Sequence, residues 1–163
     1  MKRLVLIAAI CAAPTLAPSA GMGADDMMQS QEQVETCLAA QMENGGPSIA
    51  CVNEALGACI QFTADAPQDA LQCFLQSQTT WKDYISARME FVRETGGEDI
   101  AAVAGIEVKF DLLQNKLQCQ RMSELSMLRA APTEQTQITA ARCDATANGL
   151  VFAKLFAQSA NMK

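Results

Sequence analysis

The chain has no histidine. That absence removes the side chain that most readily exchanges protons near neutral pH, the Ser-His-Asp and Cys-His arrangements of nucleophilic catalysis, and the commonest zinc ligand. No stretch alternates apolar and polar residues as a half-buried strand does, so a glycine-rich phosphate loop has no strand to follow. After the first residues no apolar run approaches the ~20 residues needed to cross a bilayer. Positive charge is also in short supply, with 12 basic against 18 acidic residues and a net charge of −6. This balance argues against nucleic acid and anionic membrane surfaces as partners, and it suits solubility or a cationic partner.

The N-terminus has the three parts of an export signal: basic Lys2-Arg3, an apolar run from Leu4 to Ile10 continuing to Leu16, and small residues from Ala17 to Ala24. Residues 1–21 are therefore expected to be a signal peptide, and the mature protein to be periplasmic or secreted. A lipoprotein is not expected, because Ile10 stands before Cys11 where a small residue is needed. Without residues 1–21 the chain keeps 10 basic and 18 acidic residues, a net charge of −8, and six of its seven cysteines. An even set of cysteines in an exported chain reads as three disulfides.

Residues 22–30 are polar or small and lack periodicity, so they read as a flexible N-terminus. Residues 31–163 read as a single all-α domain of about five helices in antiparallel hairpins. The first carries Val34, Leu38 and Met42 and stops at Asn44-Gly45-Gly46-Pro47, residues suited to a left-handed cap. Ser48 can cap the second, whose face is Ile49, Val52, Leu56, Cys59 and Ile60, ending near Phe62. The third runs from Asp69 to Gly96-Gly97 with Leu71, Phe74, Leu75, Trp81, Ile85, Met89 and Val92 on one side. The fourth, from Glu98 to about Leu128, has Ile100, Val103, Ile106, Phe110, Leu113 and Leu117 as its expected buried face, then Met122, Leu125 and Leu128. The fifth, from Glu134 towards Ser159, presents Ile138, Ala141, Ala145, Phe152 and Phe156.

The cysteines can be paired from this layout. In two antiparallel helices joined by a short turn, residues equally far before and after the turn lie side by side, because each helix rises the same ~1.5 Å per residue. The midpoint of Cys37 and Cys51 is Asn44, that of Cys59 and Cys73 is Ala66, and that of Cys119 and Cys143 is Ala131. All three fall on turn signals. The expected bridges are thus Cys37–Cys51, Cys59–Cys73 and Cys119–Cys143, each stapling one hairpin. Metal binding by thiolates would call for close Cys-x-x-Cys spacing, which is missing, and no metal or cofactor is expected.

Side chains that could carry chemistry are few. The acid pairs Glu98-Asp99 and Asp25-Asp26 sit at a helix start and in a tail, where carboxylates are normally solvated, and no enzymatic activity is expected. Nine methionines raise a soft-metal reading, copper(I) above all. Met27-Met28 lie in the tail, however, and Met42, Met89 and Met122 fall on apolar faces where methionine is ordinary filler. Tyr84 and Arg88 lie on turns of the third helix adjacent to Trp81 and would form a binding hot spot if exposed, whereas Trp81 itself reads as a core anchor. Glu94, Glu98 and Asp99 surround the Gly96-Gly97 turn and could meet a cationic partner.

The framework Cys37, Cys51-x7-Cys59, Cys73-x7-Trp81, followed by Cys119 and Cys143, resembles the exported lysozyme-inhibitor LprI-type family, small helical cysteine-rich bacterial proteins. Ile85, Ser86 and Met89 stand where that family commonly has its Leu-Asn-x-x-Tyr segment. Asp111 and Asn115 stand where its second motif has tryptophan and arginine. The resemblance implies a non-enzymatic binding protein that blocks the cleft of a basic lysozyme-type glycan hydrolase. The alternatives are a structural or envelope-stress protein of the periplasm without a dedicated enzyme target, and a copper-binding protein.

Overall fold

A computed structural model describes residues 28–129 and 131–162. The expected signal peptide and residues 22–27 of the expected flexible segment lie outside the described residues. Within them the chain forms α1 (Gln31–Asn44), α2 (Ile49–Ala55), α3 (Gly57–Asp65), α4 (Pro67–Gly96), α5 (Glu98–Met127) and α6 (Glu134–Ser159), with no strand among the described residues. The all-α class is as expected, with six helices in place of about five. The additional boundary falls at Leu56, whose φ of −90° and ψ of 6° leave the helical region, and Gly57, a weak helix former, opens α3. Leu56 donates to Val52 O at 3.1 Å and accepts from Ile60 N at 3.0 Å, so the chain bends without orphaning these groups.

Helix ends follow local chemistry. Ser30 and Gln33 form a reciprocal capping box at α1, and Thr133 and Thr136 form one at α6. Gly45 closes α1 at φ 65°, a left-handed conformation that glycine adopts without a Cβ clash. Pro67 occupies the first turn of α4, where its missing N–H is no loss, so α4 starts two residues before the expected Asp69. Ser48 stands at the start of α2 but makes no side-chain capping bond, contrary to expectation, because its backbone is already helical at φ −59°, ψ −23°.

The three disulfides join Cys37 to Cys51, Cys59 to Cys73 and Cys119 to Cys143, with Cα separations of 5.8, 5.3 and 5.7 Å. They are the three bridges expected from the turn midpoints. Each ties the two arms of one hairpin: α1–α2, α3–α4 and α5–α6.

The core is built on α4 and α6, which share the most extensive helix contact. They run in the same direction: Gln78 Nε2 donates to Ala141 O at 3.3 Å and Arg88 Nε donates to Ser159 Oγ at 2.7 Å. Between them lie Phe74, Trp81 and Phe152, all fully buried, with the Trp81 and Phe152 rings 5.7 Å apart. Gly149 allows this approach. A Cβ there would lie 2.6 Å from Val52 Cγ1 and 2.9 Å from Trp81, closer than carbon atoms can pack.

α5 departs from expectation. It runs antiparallel to α6, tied by Cys119–Cys143, by Lys154 Nζ to Asp111 Oδ2 at 2.7 Å, and by Gln158 Nε2 to Glu107 Oε2 at 2.8 Å. The residues it buries are Ala101, Val108 and Cys119. The face expected to be buried points outward: Ile100, Val103, Ile106, Phe110, Leu113, Leu117, Met122, Leu125 and Leu128 are exposed, with Phe110 at 63% and Leu128 at 83%. Periodicity identifies an apolar face but does not say whether anything covers it, and here small residues provide the close fit to the rest of the fold.

Candidate binding surfaces

Tyr84 lies beside Trp81, Arg88 follows one turn further along α4, and both face inward. Tyr84 meets Trp81 edge to face at 5.7 Å and lies 5.8 Å from Phe152, and its hydroxyl donates to Gln29 O at 2.9 Å. That bond, with the Ser30 cap, makes Gln29 and Ser30 part of the folded unit. Burial, and secondarily the charge of Asp83, pushes the Tyr84 phenol up from its ordinary value.

Arg88 is buried to 9% exposure. Its guanidinium carbon lies 4.3 Å from the centre of the Phe91 ring and 4.7 Å from that of Phe156, its Nε bonds Ser159, and Nη1 is 3.9 Å from Glu35 Oε2. Burial lowers the Arg88 pKa, and Glu35 partly offsets this. Both residues therefore hold α4 to the N-terminal segment, α1 and α6. Neither is presented as an open hot spot.

The acidic residues lie on the surface. Glu94, Glu98 and Asp99 are all exposed around the turn from α4 to α5, where Gly97 has φ 83°. Arg93 contacts Glu90, and its Nε is 3.5 Å from Glu98 Oε1. Glu94 and Asp99 make no ion pair among the described residues. Glu98 and Asp99 occupy the first turn of α5, where the helix dipole favours negative charge. Directly beyond them an open hollow of about 390 Å³ is lined by Asp99, Ile100, Val103, Ala104, Glu107 and Gln158. This end of the molecule thus offers carboxylates beside an apolar floor, an arrangement that can receive a cation with an aliphatic or aromatic stem.

A second open hollow of about 470 Å³ flanks the Cys119–Cys143 bridge, with Asn53, Asn115, Gln118, Thr139, Arg142 and Thr146 among its lining residues. Asn115, at one of the two positions where the resembling family has its second motif, faces this hollow. Asp111, at the other, pairs with Lys154. Of the Met27-Met28 pair, Met27 lies outside the described residues. Met28 packs against the core, Met89 is half-buried, and Met42 and Met122 are exposed rather than on covered faces.

The outward stripe of α5 is the surface that sequence reading assigned to the core. A signal for the correct assignment was available. Ala101, Ala104, Gly105 and Val108 form a small-residue face opposite the large apolar one, and small residues let helix backbones approach closely. In comparison with known proteins, no family model, no curated sequence and no solved structure matches this chain.

Proposed function

We propose that this is an exported, non-enzymatic binding protein whose partner is a basic lysozyme-type glycan hydrolase, engaged through the acidic turn between α4 and α5. The observation that carries the reading is the gathering of exposed Glu94, Glu98 and Asp99 at one end of a chain with net charge −6, next to an apolar hollow. A compact acidic end attracts a basic protein over distance and raises its association rate. The cysteine and tryptophan spacing that resembles the lysozyme-inhibitor family supplies the partner class.

Three disulfides support a periplasmic or secreted location, since such bonds persist in oxidising compartments. Among the described residues no helix is long and apolar enough to cross a membrane.

The test is lysis of cell-wall substrate by a basic lysozyme with and without the oxidised protein. Stoichiometric inhibition that weakens as salt rises is the expected result. No inhibition at large excess overturns the reading and favours a structural or envelope-stress role, for which the covalently stapled core suffices.

A further inference from the structure

The outer face of α5 is the largest feature that the acidic turn does not account for. Ile100, Val103, Ile106, Phe110, Leu113 and Leu117 are each between 45% and 69% exposed, and Leu125 and Leu128 extend the stripe beyond Arg121. At full exposures of roughly 100–200 Å² per large side chain, the stripe presents on the order of 500–1,000 Å² of apolar surface. That matches or exceeds the largest patch on a typical monomer, roughly 300–600 Å². We propose that this face pairs with the same face of a second copy of the chain, giving a two-fold homodimer with α5 against α5.

Three observations favour a second copy. First, the spacing is that of a helix seam: Val103, Ile106, Phe110, Leu113 and Leu117 alternate steps of three and four, the a and d positions of a coiled coil. α5 is 30 residues long, or ~45 Å, and so offers a partner helix a full line of contact. Second, the area fits. A stable interface buries about 800 Å² per partner, which the stripe and the aliphatic stems of Lys109 and Lys116 beside it can supply.

Third, the edges complement each other. At ~100° per residue, Lys109 and Lys116 flank one side of the stripe while Glu107 and Asp111, which each also bond a side chain of α6 through one oxygen, flank the other. Two α5 helices running in the same direction set the lysine edge of each copy against the carboxylate edge of the other. A partner of strongly one-signed charge would find no such match. An isologous contact also needs only the one face that every copy already carries.

The dimer face meets the proposed lysozyme surface at Ile100, Val103 and Glu107, which also line the hollow beside the acidic turn, but it is tested without any hydrolase, so the failure of one reading is distinguishable from the failure of the other. The oxidised protein is run by sedimentation equilibrium from ~1 to ~100 μM, alongside Phe110→Glu/Leu113→Glu. Both substituted positions are exposed, so the variant should keep the parent's helical circular dichroism, and its melting temperature should match the parent's at concentrations where the parent is monomeric. The expected result is a dimer whose dissociation constant rises at least ~100-fold in the variant. A parent that stays monomeric over the whole range overturns the proposal, whether or not lipid vesicles or a basic lysozyme capture it. So does a folded variant that dimerises as well as the parent.

Discussion

Gly149 has no side chain, and the packing of Trp81 depends on that. With Val52 Cγ1 2.6 Å and two Trp81 ring atoms 2.9 Å from where a Cβ would sit, Gly149→Ala must push α6 away from α2 and α4. Overpacking of this kind typically destabilises by about 1–3 kcal/mol, opposed in part by the better helix propensity of alanine. We predict a clearly lowered urea midpoint with an unchanged slope. Arg88 can be tested in the same way. Its guanidinium lies against two phenylalanine rings and bonds Ser159, so Arg88→Ala should destabilise by about 2–4 kcal/mol through lost packing and a lost charge-assisted bond. If Arg88 served a partner instead, stability would barely change while binding fell.

Asp144 gives a pH-dependent prediction. Burial raises its pKa above the ordinary carboxylate value, and Lys116 opposes the shift more weakly. A raised carboxyl pKa means that the folded state holds the proton more tightly than the unfolded chain. Its contribution is therefore most favourable below the unfolded value, about 3.9, and is lost as pH rises through the folded value. Because the group is partly solvated, Asp144→Asn should stabilise at neutral pH by less than ~1 kcal/mol. The gain should vanish towards pH ~3, where both states of the parent are protonated. Chemical denaturation of parent and variant at the two pH values checks the sign.

At the scale of the elements, α5 buries only three of its 30 residues. Beyond Val108 only Cys119 is buried on this helix, so the bridge to Cys143 is the main tie for its second half. That bridge spans 24 residues of sequence, and the chain-entropy account gives roughly 3 kcal/mol for a loop of this size. Replacing Cys119 and Cys143 by alanine should lower global stability by about that amount. It should also speed amide exchange from about residue 112 to residue 140 well before the α4–α6 core opens.

Much of this architecture can be read in the sequence for one physical reason: the constant rise of a helix turns equal spacing about a turn into spatial adjacency. That is why Asn44, Ala66 and Ala131 located the disulfides, and why Trp81 and Phe152 could be placed in the core. The break at Leu56 was not legible, because Gly57 is a weak signal and the flanking hydrogen bonds persist. Nor was the orientation of α5, where a strong apolar period marked the outward face and Ala101, Ala104 and Val108 marked the inward one. Gly149 reads in sequence as a mild helix breaker. Only the three-dimensional proximity of Val52 and Trp81 gives it a role. Of the five residues proposed for partner binding, Glu94, Glu98 and Asp99 lie on the surface while Tyr84 and Arg88 are committed to internal contacts.

At the scale of the whole molecule, charge and covalent stapling act together. The staples close the hairpins on either side of the acidic turn, and the turn itself is held by the buried Val92 of α4 and Ala101 of α5. Attraction to a basic enzyme through Glu94, Glu98 and Asp99 should depend on ionic strength, because the Debye length falls from roughly 30 Å at 0.01 M to about 8 Å at physiological salt. Neutralising the three carboxylates as Glu94→Gln, Glu98→Gln and Asp99→Asn should slow association by about 10-fold or more at low salt. Loss of the two first-turn charges of α5 and of the Arg93–Glu98 contact should lower the melting temperature by no more than a few degrees.

The most direct test of the central claim is the association rate of the oxidised protein with a basic lysozyme, measured at low and at physiological salt for the parent and this triple variant. The account predicts fast, salt-sensitive association for the parent, and slower, less salt-sensitive association for the variant, which keeps part of the negative charge. An absence of binding by the parent, or equal rates for the two proteins at low salt, would contradict it.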